Sequence, residues 1–254
     1  MKSEIRNTNR GRMLFLTDGK TEIGCALEFG IRVSHLSVAG MENIYYEQPA
    51  DCSDGLITED GWKLYGGHRI WNTPEDDTCN CPDNDPVEYE LLEDGVILKQ
   101  KEEPWRHIEK ELKIRFFDNG HVEVTNLVRN VSGKAIDTAA WGVNTLTGGN
   151  VDVDFIPADA VPGVPGRYIS LWGTTNVADE RLTWSQNHLS AKYKPIKDYF
   201  KLGMYTKAET AVYEVAFVAD SGRDGKFGYV LVGYDDSLFD QFSEFSETAA
   251  EDYA

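Results

Sequence analysis

Basic residues are scarce in this chain. Its 25 Lys and Arg stand against 43 Asp and Glu, a net charge of −18 over 254 residues. Phosphate recognition needs a basic footprint, so nucleic acid is not expected as a partner, nor is an anionic membrane or polymer. Long apolar runs are missing as well. No stretch approaches the ~18 apolar residues of a membrane span. The opening MKSEIRNTNRGRMLFL carries charges but no apolar signal-peptide core, so export is not expected and a cytoplasmic protein is. Cysteine is limited to Cys25, Cys52, Cys79 and Cys81. The Cys79-Asn80-Cys81 spacing is too short for a structural zinc pair, and no second pair answers it. The thiols read as reduced and structural, and no metal or other cofactor is expected. Sustained helical periodicity is absent before residue 237. No short-period repeat and no convincing linker appears, so one domain over residues 1–254 is the simpler reading.

What is present is a succession of short strands. Met13–Leu16, Glu22–Phe29 and Ile31–Leu36 lead to a turn at Gly40 and then Asn43–Tyr46. Val87–Glu93 and Val96–Lys101 flank Asp94-Gly95, a strong hairpin signal. Ile108, Lys110, Leu112, Ile114 and Phe116 fall on one face of the next strand, with charged residues between them. Asn119-Gly120 turns the chain into 121–128, and Ser132-Gly133 turns it into 135–146. Residues 147–168, rich in Gly, Pro and Asp, read as a long loop. Strands are expected again at 169–172, 181–184, 188–193, 200–205, 210–218 and 227–234. Turns about ten residues apart predict an all-β sandwich or barrel. Residues 236–254 change character: Leu238, Phe239, Phe242 and Phe245 suggest a short helix or a frayed tail.

The most distinctive stretch is Gly61–Val87, GWKLYGGHRIWNTPEDDTCNCPDNDPV. Gly66-Gly67 permits a close backbone approach or a positive φ. His68 and Arg69 set a titratable ring beside a permanent cation, or else form a structural ion pair at a strand end. The loop after Pro74-Glu75 is almost wholly acid, amide, Cys and Pro, the kind of loop that often carries function. Asp76, Asp77, Asp83, Asn84 and Asp85 offer oxygens to a hard cation such as calcium, but without regular ligand spacing. A solvated acidic loop is the alternative.

The GGHRIWNTPE segment resembles the galactose mutarotase-like (aldose 1-epimerase-type) superfamily, closest to a branch with a GGHR-aliphatic-W…PE segment. Further pieces follow in order: Ile31–Leu36 with Gly40–Tyr46, Val124–Asn130 with Ala140-Trp141-Gly142, Leu171-Trp172 with Asp179–Arg181, and Phe200–Gly203. The likeness covers roughly residues 12–215. It implies a β-supersandwich of two large antiparallel sheets with a sugar cleft on a concave face. It also implies general acid/base interconversion of sugar anomers, in which a carboxylate takes the O1 proton and a histidine protonates the ring oxygen. Such enzymes carry the acid histidine in an Asn-His motif on a central strand. The comparable residues here, Asp137–Asn144, contain no histidine.

His68 is therefore the candidate acid and Glu75 the candidate base. Candidate sugar contacts are His68, Arg69, Trp71, Trp141, Trp172 and Lys201, with His68, Arg69 and Trp141 expected to line one cleft. The tryptophans would stack on the apolar C–H face of a sugar; core packing, which large aromatics very often supply, is the alternative. Asp179 with Arg181 reads as a structural pair, and His107, His121 and His188 as ordinary strand residues. Two function classes remain. One is an aldose 1-epimerase-like isomerase acting on a free sugar or sugar derivative. The other is a carbohydrate-binding module without chemistry, favoured by the missing Asn-His motif. The partner expected in both is a small carbohydrate; the sequence does not fix the oligomeric state.

Overall fold

The structure is a computed structural model. It describes residues 1–38, 42–47, 65–73, 76–118, 122–136, 138–146, 152–155, 168–172, 176–184, 189–192, 200–205 and 212–217. Its strands are β1 (Lys2–Thr8), β2 (Gly11–Thr17), β3 (Thr21–Ala26), β4 (Arg32–Val38), β5 (Gly67–Thr73), β6 (Glu88–Leu91), β7 (Gly95–Lys99) and β8 (Ile108–Phe116). They continue as β9 (Val122–Asn130), β10 (Ala139–Leu146), β11 (Asp152–Phe155), β12 (Tyr168–Trp172), β13 (Leu182–Trp184), β14 (Leu189–Lys192), β15 (Phe200–Tyr205) and β16 (Val212–Phe217). Among the described residues the only helical turn is a short 3-10 turn at Asp77–Asn80, and no helix is long and apolar enough to cross a membrane. The protein is all-β. The strand expected at 227–234 and the helix or tail at 236–254 lie outside the described residues.

A nine-stranded sheet runs β1-β2-β3-β4-β5-β10-β16-β15-β12, and a four-stranded sheet runs β6-β7-β8-β9. The main core lies between them. Leu14, Leu16, Ile23, Cys25, Val33 and Ile70 of the large sheet meet Val96, Leu98, Ile108, Leu112, Ile114 and Val124 of the small one. The alternation in β8 does what the sequence predicts: its five inward residues are buried and the charges between them half-buried. Asp94-Gly95 does close the β6–β7 hairpin, where Leu92 N–H donates to Gly95 O at 2.9 Å. Two features differ from the expected pair of antiparallel sheets. β11-β14-β13 forms a third, three-stranded sheet, and β10 pairs with β16 in parallel. Parallel neighbours need a long crossover, and more than 60 residues separate these two strands.

Two strands had no sequence signal. β1 is polar and mostly exposed, so it shows no alternation, yet it pairs with β2 along its whole length. β11 falls inside the stretch read as a loop. Conversely, Asn43–Tyr46 forms no strand: Tyr45 and Glu47 are single bridge residues, Glu47 with Gly66. The diglycine is explained by close approach. Gly66 and Gly67 have φ of +84° and +78°. A Cβ on Gly67 would lie 2.3 Å from Val33 O, and one on Gly66 1.8 Å from Tyr46 O. Gly67 N–H donates to Tyr46 O at 3.1 Å, which fixes the entry into β5.

Candidate functional site

β5 alternates its side chains between two different environments. His68 and Ile70 turn toward the four-stranded sheet, and Ile70 joins the core there. Arg69 and Trp71 turn to the opposite face. His68 and Arg69 therefore do not share a cleft, contrary to the sequence expectation.

His68 is fully buried, at 0 % exposure. The side-chain amide of Asn144 on β10 lies 2.9 Å from its Nδ1, and that of Asn126 on β9 lies 2.9 Å from its Nε2. Asn144 is the register partner of His68 within the large sheet, whereas Asn126 reaches across from the small one. Tyr45 Oη adds a long contact to the Asn144 amide at 3.5 Å. Gly142 makes room, since a Cβ there would sit 3.1 Å from both His68 Cε1 and the Asn126 amide nitrogen. Burial pushes the His68 pKa down, against the opposing pull of the two amide contacts, so the ring is neutral. A neutral imidazole has one N–H. Both amide atoms facing the ring are Oδ1 acceptors, so the single ring N–H serves one of them and the other amide must turn end for end to donate; Asn144, whose Nδ2 has no hydrogen-bond partner among the described residues, is suited to that turn. A general acid must reach the group it protonates. His68 has both nitrogens occupied between two sheets, so it is a tie between layers rather than an acid.

The opposite face is chemically richer. Arg69 Nη2 donates to Asp83 Oδ2 at 2.6 Å, and its guanidinium lies 3.8 Å from the Trp71 ring centroid. Arg32 is directly opposite Arg69 in the β4–β5 register. It is 1 % exposed, with Nη2 3.7 Å from Asp83 Oδ1 and its guanidinium 4.8 Å from the Tyr65 ring centroid. Trp71 itself is half-buried. Burial pushes the Asp83 carboxyl up, but the Arg69 and Arg32 charges outweigh it and hold its pKa below the ordinary value. Burial lowers Arg32 to about 10, which leaves it charged at neutral pH. Gly30 is part of this packing: φ is +86°, and a Cβ would meet Asp83 O at 2.2 Å and Arg32 Nη2 at 3.1 Å.

Register extends this face. Trp141 pairs with Trp71, and Val143 with Arg69. Thr145 pairs with Ala216, Ala216 with Lys201, and Lys201 with Trp172. Directly paired residues share a face, so positions 141, 172 and 201 lie on the same face of the sheet as Arg69 and Trp71. Position 172 is on the edge strand β12, four strands from β5, or roughly 19 Å at about 4.8 Å per strand. Glu75 lies outside the described residues, as do His121 and His188. His107 is not a strand residue. It sits in a turn with φ +54°, and its Nδ1 is 2.7 Å from Glu102. Arg181 and Asp179 do form the expected pair, at 2.6 Å. The loop acids Asp83 and Asp76 are engaged by arginines, Asp76 with Arg106 Nη2 at 2.6 Å.

Sequence reasoning overlooked Asn126, Asn144 and Gly142 as partners of His68, and Arg32 and Asp83 as partners of Arg69. Amides at inward positions of Val124–Val128 and Val143–Leu146 were an available signal, because a buried amide demands partners.

No family model matches the chain, and no curated protein matches it. Among solved structures, the 4-alpha-glucanotransferase from Thermococcus litoralis is similar to it, with 16% identity and a TM-score of 0.37. The match covers 66% of this chain, which spans 29% of the length of that one. A superposition this loose supports no argument about ligand or chemistry.

Proposed function

We propose that this protein is a carbohydrate-binding protein of galactose mutarotase-like type, and that it binds its sugar on the Arg69–Trp71 face of the nine-stranded sheet. One observation carries the reading: Arg69, Trp71, Trp141, Trp172 and Lys201 fall on a single face by register. Ligand sites pair apolar and aromatic walls with a few fixed polar groups. Here a half-buried Trp71 supplies a flat apolar surface. Arg69, itself buried, is pinned by Asp83 and stacked on that ring, and so fixes the orientation of that surface. Between the two function classes, the geometry favours binding without His68 chemistry, because a fully buried ring held by two amides has no path to a substrate proton. An epimerase would need its acid elsewhere.

The test is calorimetric titration with a panel of mono- and oligosaccharides, using wild type and Trp71→Ala. Saturable binding that Trp71→Ala weakens by about two- to tenfold is expected, since stacking an aromatic ring is worth roughly 0.5–1.5 kcal/mol beyond its area. No heat from any sugar, or binding that Trp71→Ala leaves unchanged, overturns the reading. Polarimetry on the same panel decides between the two classes: accelerated anomer exchange that survives His68→Asn would establish an enzyme with a different acid.

A further inference from the structure

Arg32 is almost wholly buried, yet its Nε and Nη2 find no hydrogen-bond partner among the described residues. Asp83 Oδ1, 3.7 Å away, also lacks a hydrogen bond among the described residues. Arg10 is half-buried nearby. Its Nη1 donates to Tyr65 O at 2.9 Å, on the residue whose ring Arg32 faces, while its Nη2 is buried with no partner among the described residues. Buried donors are almost always satisfied, and each exception calls for an explanation. Charge points the same way. Arg32 and Arg69 share Asp83, which Lys110 also faces, and Arg10 faces Glu47. Among the described residues, Arg10, Arg32, Arg69 and Lys110 meet Asp83, Glu47 and Glu103, an excess of one positive charge in a chain whose net charge is −18. Guanidinium forks match the planar or tetrahedral geometry of carboxylate and phosphate.

We propose that Arg10, Arg32 and Arg69 form a cradle for an oxyanion, the phosphate or carboxylate of a sugar derivative. This rests on the carbohydrate reading and specifies its substrate class. The anion accepts from Arg32 Nε or Nη2 and from Arg10 Nη2, while Asp83 keeps Arg69 in place. Arg10, the half-exposed member, marks the open rim. Sugar hydroxyls then extend toward Trp71, on the same face as Arg69.

The experiment is calorimetric titration with glucose, glucose 6-phosphate, glucuronate and inorganic phosphate at two salt concentrations. It uses wild type, Arg32→Gln and the rim variant Arg10→Gln, whose partial exposure makes folding failure less of a concern. An anionic sugar is expected to bind at least tenfold more tightly than glucose, with that advantage shrinking in high salt and falling severalfold in Arg10→Gln. The phosphate and glucuronate arms tell which oxyanion is preferred. If glucose and both anionic sugars bind alike, the cradle is refuted and the carbohydrate reading stands. If inorganic phosphate binds and no sugar does, the cradle stands and the carbohydrate reading falls. If nothing binds, both fall. If the anionic preference persists undiminished in Arg10→Gln and in folded Arg32→Gln, these arginines are not its source and the inference is overturned.

Discussion

Replacing His68 with leucine separates a structural histidine from a catalytic one. Leucine fills much of the same space but offers nothing to the amides of Asn126 and Asn144, which the native ring contacts at 2.9 Å on each side. Each buried polar group left unsatisfied costs about 1–3 kcal/mol. Two such groups give an expected loss of about 2–6 kcal/mol by the same principle, from a total of about 5–15 kcal/mol. Urea unfolding followed by tryptophan fluorescence measures it, as a lower midpoint with little change in slope. The double variant His68→Leu/Asn126→Leu removes a partner along with the ring. It is expected to be less destabilised than the sum of the singles, with a coupling of about 0.5–3 kcal/mol. Sugar affinity, measured below the melting range, is expected to stay at the wild-type level. A His68→Leu protein within about 0.5 kcal/mol of wild type, the range of ordinary surface changes, would refute the reasoning, the more so if sugar binding were lost.

Three further outcomes are expected. Asp83→Ala leaves two buried guanidinium groups without their shared carboxylate and is expected to cost about 3–5 kcal/mol, read by the same urea titration; a change under about 1 kcal/mol contradicts the burial argument. Gly67→Ala places a Cβ 2.3 Å from Val33 O at a φ of +78° and is expected to abolish the soluble folded protein or lower its Tm sharply, whereas Gly19→Ala, with open space around it despite φ +94°, is expected to do much less. The pH dependence follows from His68. Its folded-state pKa lies below the ordinary 6.5, so the unfolded chain takes up a proton first as pH falls. The neutral ring's contribution is complete above about 6.5 and is lost below it, by up to about 1.4 kcal/mol per pH unit until the folded-state pKa is reached. Because burial also lowers His35, the comparison is made with His68→Leu, whose stability is expected to fall less steeply between pH 6.5 and acid; identical slopes would contradict it.

Strands with a buried face were legible in the sequence, because burial imposes period two. β8 shows this clearly, with Ile108, Lys110, Leu112, Ile114 and Phe116 all inward. β1 was invisible because its residues are mostly exposed and their polarity carries no phase. Lys110 falls on that inward face and is buried against Glu103 at 2.6 Å, a pairing that only tertiary structure reveals. The same limit governs the site. The GGHRIW segment singles out β5, but adjacency in sequence was read as adjacency in space. A strand sends neighbours to opposite faces, so His68 went to the core and Arg69 to the other side. Asp83 was indistinguishable from its acidic neighbours until the loop packed it against Arg32 and Arg69.

The most direct test of a sugar site on the Arg69–Trp71 face is an NMR titration of isotopically labelled protein with the tightest-binding sugar of the panel. Saturable shifts are expected at the Trp71 indole and the Arg69 guanidinium, while the His68 ring signals stay in place, one N–H protected from exchange as its burial between two amides requires. Large saturable shifts at the His68 ring with none at Trp71 or Arg69 would contradict the account.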